Sequence, residues 1–241
     1  MAVGVSYARS KIQRQPLEGG LRYEVREDRG SKNLDATLIN MHVTGRVNQD
    51  VTLMSTINWG TNEDADSGLM RSQSNRFDLT AAYRPVLKDQ FNVISKYSWV
   101  EDKQPKEQIG DLGLEAQKAQ VLSADILYDL NPKWTTGSRL AVRYGREKVQ
   151  QLPWAESRRW LVATRLGYKF TEDTKLNLEY RLLKDLRAND QKDGSLVELV
   201  HRFGGKIEMG VGVNFSGFSD DLGQMDYTEK GAFLRITGVL Q

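Results

Sequence analysis

The stretch TKLNLEYRLLKD (174–185) decides the fold. Leu176, Leu178, Tyr180 and Leu182 alternate with Lys175, Asn177, Glu179 and Arg181. A period of two places the apolar side chains on one face of an extended strand and the charged ones on the other. Downstream, LVELVHRFGGK (196–206) runs through a Gly204-Gly205-Lys206 turn into IEMGVGVNFSGFSDD (207–221). There Ile207, Met209, Val211, Val213 and Phe215 alternate with Glu208, Gly210, Gly212, Asn214 and Ser216.

The same two-faced unit can be followed back almost to residue 1. Alternating segments fall at 2–11, 21–26, 37–47, 51–59, 76–84, 91–100, 122–130, 139–147 and 160–170, and a last one at 231–240. With 174–185, 196–203 and 207–216 they make about thirteen. The connections before Val51, Phe91, Trp134, Lys175 and Ile207 are short. Those at 60–75, 101–117 and 148–157 read as long polar loops. Short turns on one side and long loops on the other are the habit of outer-membrane barrels, whose periplasmic turns are tight and whose extracellular loops are not. The expected fold is therefore all-β, an antiparallel up-and-down transmembrane β-barrel formed by 1–241 as a single domain. Twelve strands are expected, with 1–20 as an extra N-terminal strand or lead-in, and fourteen if another strand lies upstream.

Composition narrows the function classes. The 241 residues carry a net charge of only +2, dispersed along the chain, so no electrostatic footprint for nucleic acid is present. The absence of cysteine excludes disulfides, thiolate metal sites and thiol catalysis. A mean hydropathy of −0.55 is compatible with a membrane barrel, because alternation hides the lipid-facing residues in a low average. MAVGVSYARS (1–10) holds no apolar signal core, which reads as a mature form or an excised domain.

Alternation alone does not separate a membrane barrel from a soluble β-barrel or sandwich binding protein, whose apolar face turns inward. Charge density on the polar face and the placement of aromatics favour the membrane. Trp59, Trp99 and Trp160 precede or follow long loops, whereas Tyr83, Tyr128, Trp134, Tyr168 and Phe170 flank short turns. Two aromatic belts at opposite heights are what a bilayer-spanning strand set requires. On this parity the lumen is lined by Arg22, Glu24, Arg26, Arg46, Arg76 and Asp78, then Lys96, Asp125, Arg139 and Arg143. Arg165, Lys175, Glu179, Arg181, Glu198, Arg202, Glu208 and Arg235 complete it. Basic residues in excess would give a narrow pore with a weak preference for anions. The same residues, paired across strands, would instead fill the lumen with ion pairs. Glu179, Arg181, Glu198 and Arg202, on neighbouring strands, form the expected network.

No catalytic constellation emerges. His42 falls on the lumen face and His201 on the lipid face, without a serine partner visible in sequence. The acidic clusters at 62–66 and 219–226 lack the spacing of a calcium loop, and no cofactor or metal site is expected.

The segments YDLNPKWTTGSRLAVRYG, LEYRLLKD, GSLVELVHRFG, GVGVNFSGFSDDL and DYTEKGAFLRITG resemble the C-terminal β-barrel domain of large repeat-containing outer-membrane or surface proteins of Gram-negative bacteria. The resemblance covers 116–241 and reaches the N-terminal half only by pattern. It implies an outer-membrane location, contact with lipid bilayer and lipopolysaccharide, and a barrel that conducts or serves as a non-conducting anchor for upstream domains or a partner subunit. It brings no catalytic residue.

Overall fold

In a computed structural model, residues 2–12, 15–29, 33–103, 114–149, 152–204, 207–218, 222 and 230–238 are described. The chain forms β1 (Ala2–Ile12), β2 (Gln15–Asp28), β3 (Leu34–Arg46), β4 (Val51–Asp64), β5 (Met70–Tyr83) and β6 (Phe91–Lys103). There follow β7 (Leu114–Asp129), β8 (Trp134–Val149), β9 (Ala155–Lys169), β10 (Thr174–Asp185), β11 (Asp190–Phe203), β12 (Ile207–Asn214) and β13 (Gly231–Gly238). They hydrogen-bond in chain order as one antiparallel up-and-down sheet. β2 to β13 are the twelve expected strands. β1 is the additional N-terminal one, paired to β2 from Ala2 opposite Arg26 to Ile12 opposite Gln15.

Cα packing divides the chain into two compact units. One comprises Met1–Tyr83, Ser95–Leu122 and Arg143–Arg158; the other comprises Arg84–Ile94, Ser123–Val142 and Arg159–Gln241.

Three of the short turns share a cause. Asn48 Oδ1 accepts the backbone N–H groups of Asp50 and Val51, both at 2.8 Å. Asn131 Oδ1 does the same for Lys133 and Trp134 at 2.9 and 3.0 Å, and Thr171 Oγ1 accepts Thr174 N at 3.0 Å. A short polar side chain that bonds two or three residues ahead substitutes for the lost strand partner and fixes a tight reversal. Gly204 enters its turn at φ +56°, a conformation that a Cβ would disfavour.

Strands extend into two of the expected long loops. β4 continues to Asp64 and β5 begins at Met70, so the 60–75 loop contracts to five residues, with Asp64 Oδ1 accepting from Asp66 N and Ser67 N. Likewise β8 reaches Val149 and β9 starts at Ala155 within the expected 148–157 loop. Polar residues such as Asn62, Glu63 and Asp64 still satisfy the ladder, because backbone pairing needs no apolar side chain. Of the 101–117 loop, 104–113 lie outside the described residues, as do 219–221 and 223–226 of the second acidic cluster.

Candidate functional site: the charged face

Burial along β10 runs opposite to that of a water-soluble strand. Glu179 is 9% exposed and Arg181 7%, while Leu178 and Tyr180 between and beside them are 40% and 52% exposed. The same inversion holds on β11, where Val197 and Leu199 are exposed and Glu198 is buried, and on β12, where Val211 and Val213 are exposed and Gly210 and Gly212 are buried. In the first unit Leu21 and Tyr23 of β2 are exposed while Glu24 of the same strand is buried. Surrounding water would penalise so much open apolar area; a hydrocarbon solvent removes the penalty.

The charged face is organised in clusters in which a carboxylate is bracketed by cations. Glu24 accepts from Arg22 at 2.6 Å and from Arg26 at 3.0 Å, along a single strand. Asp78 holds Arg76 at 2.9 Å and Lys96 at 3.5 Å and accepts the Ser98 hydroxyl at 2.5 Å. Glu179 takes Arg181 from its own strand and Arg165 from its partner on β9. Arg139 pairs with Asp125 at 2.6 Å and Arg202 with Glu208 at 2.8 Å. The depth of the two signs differs. Arg22, Arg26, Arg165, Arg202 and Arg235 keep 44–62% of their side-chain surface exposed, whereas the carboxylates they hold keep only 8–15%. In these pairs short carboxylates lie against the sheet and long guanidiniums reach over them, so these clusters present mainly positive charge, whereas at Asp125–Arg139 and Glu147–Arg143 the arginine is the deeper partner.

Some expected assignments change. Glu179, Arg181, Glu198 and Arg202 do not join into one network: Glu198 bonds Arg235 at 2.8 Å and Asn177 at 3.2 Å, and Arg202 turns to Glu208. Glu198 reaches past β12 to β13 because Gly210 leaves room. A Cβ there would meet Glu198 Oε1 at 2.3 Å. Arg143 is fully buried and does not line an open surface. Its Nη2 donates to Gln117 at 2.9 Å and Glu147 at 3.3 Å. Asp102 accepts from Gln117 and Ser74, and Ser157 donates to Glu147, so a polar chain ties β5 to β9. Arg46 ends β3 opposite Thr52, and Lys175 stands opposite Lys169 and Val200.

Sequence parity missed that the charged face also holds packed apolar residues. Leu161, Ala163 and Val200 are almost completely buried there, between charged neighbours. The signal was available in WLVA (160–163) and LVELV (196–200), where both parities are apolar. Nor did sequence show that the chain bends onto this face after β12. Ser216 is fully buried against Gly194, where a Cβ would come within 2.6 Å of Ser216 Cα, and Phe218 is buried with its carbonyl accepting from Arg181 at 3.3 Å. Residues 215–218 thus form a strap anchored by Arg181. His42 lies over Gly20 on the charged face, and His201 on the apolar face shares a 2.8 Å hydrogen bond with the Thr174 hydroxyl.

Nine aromatics on the apolar face group at two heights, and Tyr180 lies between them. Beside short turns, Phe91 meets Tyr128 at 6.4 Å, Trp134 meets Tyr168 at 4.6 Å, and Tyr168 meets Phe170 at 5.0 Å between ring centroids. Tyr83 ends β5 beside the next such turn. Eight residues along their strands from this level lie Trp59 (counted from Val51), Trp99 (from Phe91) and Trp160 (from Tyr168). At ~3.3 Å per residue the two levels are about 26 Å apart along a strand.

No protein-family model matches this chain, and no curated protein matches it in sequence. Solved structures do. The siderophore receptor PirA from Acinetobacter baumannii aligns with a TM-score of 0.61 at 11% identity over 88% of this chain. PirA from Pseudomonas aeruginosa gives 0.59 at 9% over 92%, and the copper transporter OprC gives 0.52 at 12% over 91%. The fold is that of outer-membrane β-barrels. This chain spans 40% of either receptor's length and 44% of the copper transporter's, and at such identities the likeness is one of fold.

Proposed function

We propose that this chain resides in the outer membrane of a Gram-negative bacterium and lines a narrow, arginine-rich passage for ions or small solutes, with a weak preference for anions. The observation that carries the reading is the layering of charge, guanidiniums exposed above buried carboxylates, on the face opposite the lipid-compatible one. Low-dielectric walls focus such a field and raise the local anion concentration. Each cluster of one carboxylate and two cations, at Glu24, Asp78 and Glu179, keeps a net positive charge. The test is reversal potential in planar bilayers under a salt gradient. Chloride is expected to permeate about two- to five-fold better than potassium, and Arg22→Glu with Arg26→Glu is expected to reduce or invert the ratio. Cation selectivity in the unaltered protein would overturn the reading.

A second reading, a non-conducting anchor for a larger surface protein or complex, draws on the strap at 215–218 and the packed Leu161, Ala163 and Val200. Gly194→Val separates the two. The added side chain collides with Ser216 backbone and must displace the strap, so unit conductance is expected to rise about two-fold in a pore. Silence of both the unaltered protein and the variant, with heat-modifiable migration retained, would favour the anchor.

A further inference from the structure

On the apolar face the residue type changes abruptly at the end away from the short turns. One alternation step beyond Trp99 on β6 comes Glu101, then Lys103; beyond Tyr144 on β8 come Arg146 and Lys148; beyond Trp160 on β9 comes Arg158, then Glu156. On β7, Leu122 gives way to Gln120 and Lys118. Side chains of this parity point away from the charged face, so these cations stand where lipid headgroups would begin. Contacts around Gly145 show that β7, β8 and β9 bring them together: a Cβ there would meet the Lys118 carbonyl at 2.9 Å and Ser157 Oγ at 3.2 Å. Lys118, Arg146 and Arg158 therefore occupy one patch within the first unit.

The patch carries more positive charge than its own acids neutralise. Lys118 pairs with Glu101 at 2.6 Å and Arg146 with Glu156 at 3.8 Å, both arrangements open to water. Arg158 lies 4.9 Å over the Tyr144 ring and donates to its hydroxyl at 3.1 Å, which holds an exposed guanidinium in place without cancelling its charge. Lys103 and Lys148 add two further cations on the same face. A cluster of this sign directly above an aromatic belt complements a phosphorylated headgroup.

We infer that Lys118, Arg146 and Arg158, with Lys103 and Lys148 beside them, bind the phosphates of an outer-leaflet glycolipid, the lipid A portion of lipopolysaccharide. The inference rests on the outer-membrane reading above and names a ligand site for it. Native mass spectrometry of the detergent-solubilised full chain, titrated with bisphosphorylated lipid A, tests it. Lys118→Glu/Arg146→Glu/Arg158→Glu is expected to bind at least ten-fold more weakly, and the corresponding triple glutamine variant about three-fold or more. Lys88→Glu/Lys133→Glu, in the short turns, is expected to bind as the unaltered protein does. Unchanged binding by both triple variants overturns the patch, as does equal binding of inorganic phosphate that competes with the lipid. Charge-dependent binding in a chain that never becomes heat-modifiable in vesicles would keep the patch and remove the outer-membrane reading instead.

Discussion

Glu179→Gln is expected to destabilise the protein by about 3 kcal/mol, read as a lowered denaturant midpoint for unfolding from lipid vesicles. The carboxylate holds Arg165 and Arg181 at once, but the two lose different amounts. Arg165 keeps 44% of its side-chain surface in water and is screened there, whereas Arg181 keeps 9%. Without Glu179 the Arg181 guanidinium is left with the Phe218 carbonyl, and a buried charge without a counter-ion is what makes such a substitution costly. Adding Arg181→Met should recover at least half of the loss, because it removes the stranded charge. A loss below ~1 kcal/mol in the single variant, or no recovery in the double, would show that water reaches Arg181 freely.

The second large effect distinguishes the faces. Leu178→Arg places a cation on the exposed apolar side of β10, two residues from Tyr180, which lies midway between the levels of Tyr168 and Trp160. A cation near the bilayer midplane costs about 2–4 kcal/mol. Asn177→Arg, one residue away on the charged face, is expected to cost less than ~1 kcal/mol, since Glu198 lies 3.2 Å from Asn177 and would accept the new guanidinium. Equal costs at the two positions would mean that the faces have been assigned wrongly.

Much of the fold was legible because each strand repeats one message. Leu176 to Leu182 and Ile207 to Val213 assign their faces by parity alone, and the structure keeps those assignments. Turn chemistry was readable in Asn48, Asn131 and Thr171, whose side chains bond ahead. Strand ends were not, because Asn62 to Asp64 look like loop in a polarity pattern yet pair through backbone groups that every residue possesses. Partner choice on the charged face was hidden for a related reason. Parity tells which side an arginine takes but not which carboxylate it meets, and Glu198 finds Arg235 only because Gly210 opens a path across β12. The strap was invisible for want of periodicity: Ser216 and Phe218 continue the alternation of β12 while the backbone departs from it.

The eight-residue interval from Val51 to Trp59, from Phe91 to Trp99 and from Trp160 to Tyr168 has a consequence for the choice of membrane. With strands inclined by ~40°, about 26 Å along the chain corresponds to about 20 Å along the bilayer normal. That is thinner than the ~30 Å hydrocarbon core of an average bilayer and nearer to the thin outer membrane. Thick bilayers would have to pinch around such a protein or force its aromatic levels off the headgroups. Short-chain lipids are accordingly the natural solvent for its refolding, and hydrophobic mismatch is a force that would sort it away from thicker membranes.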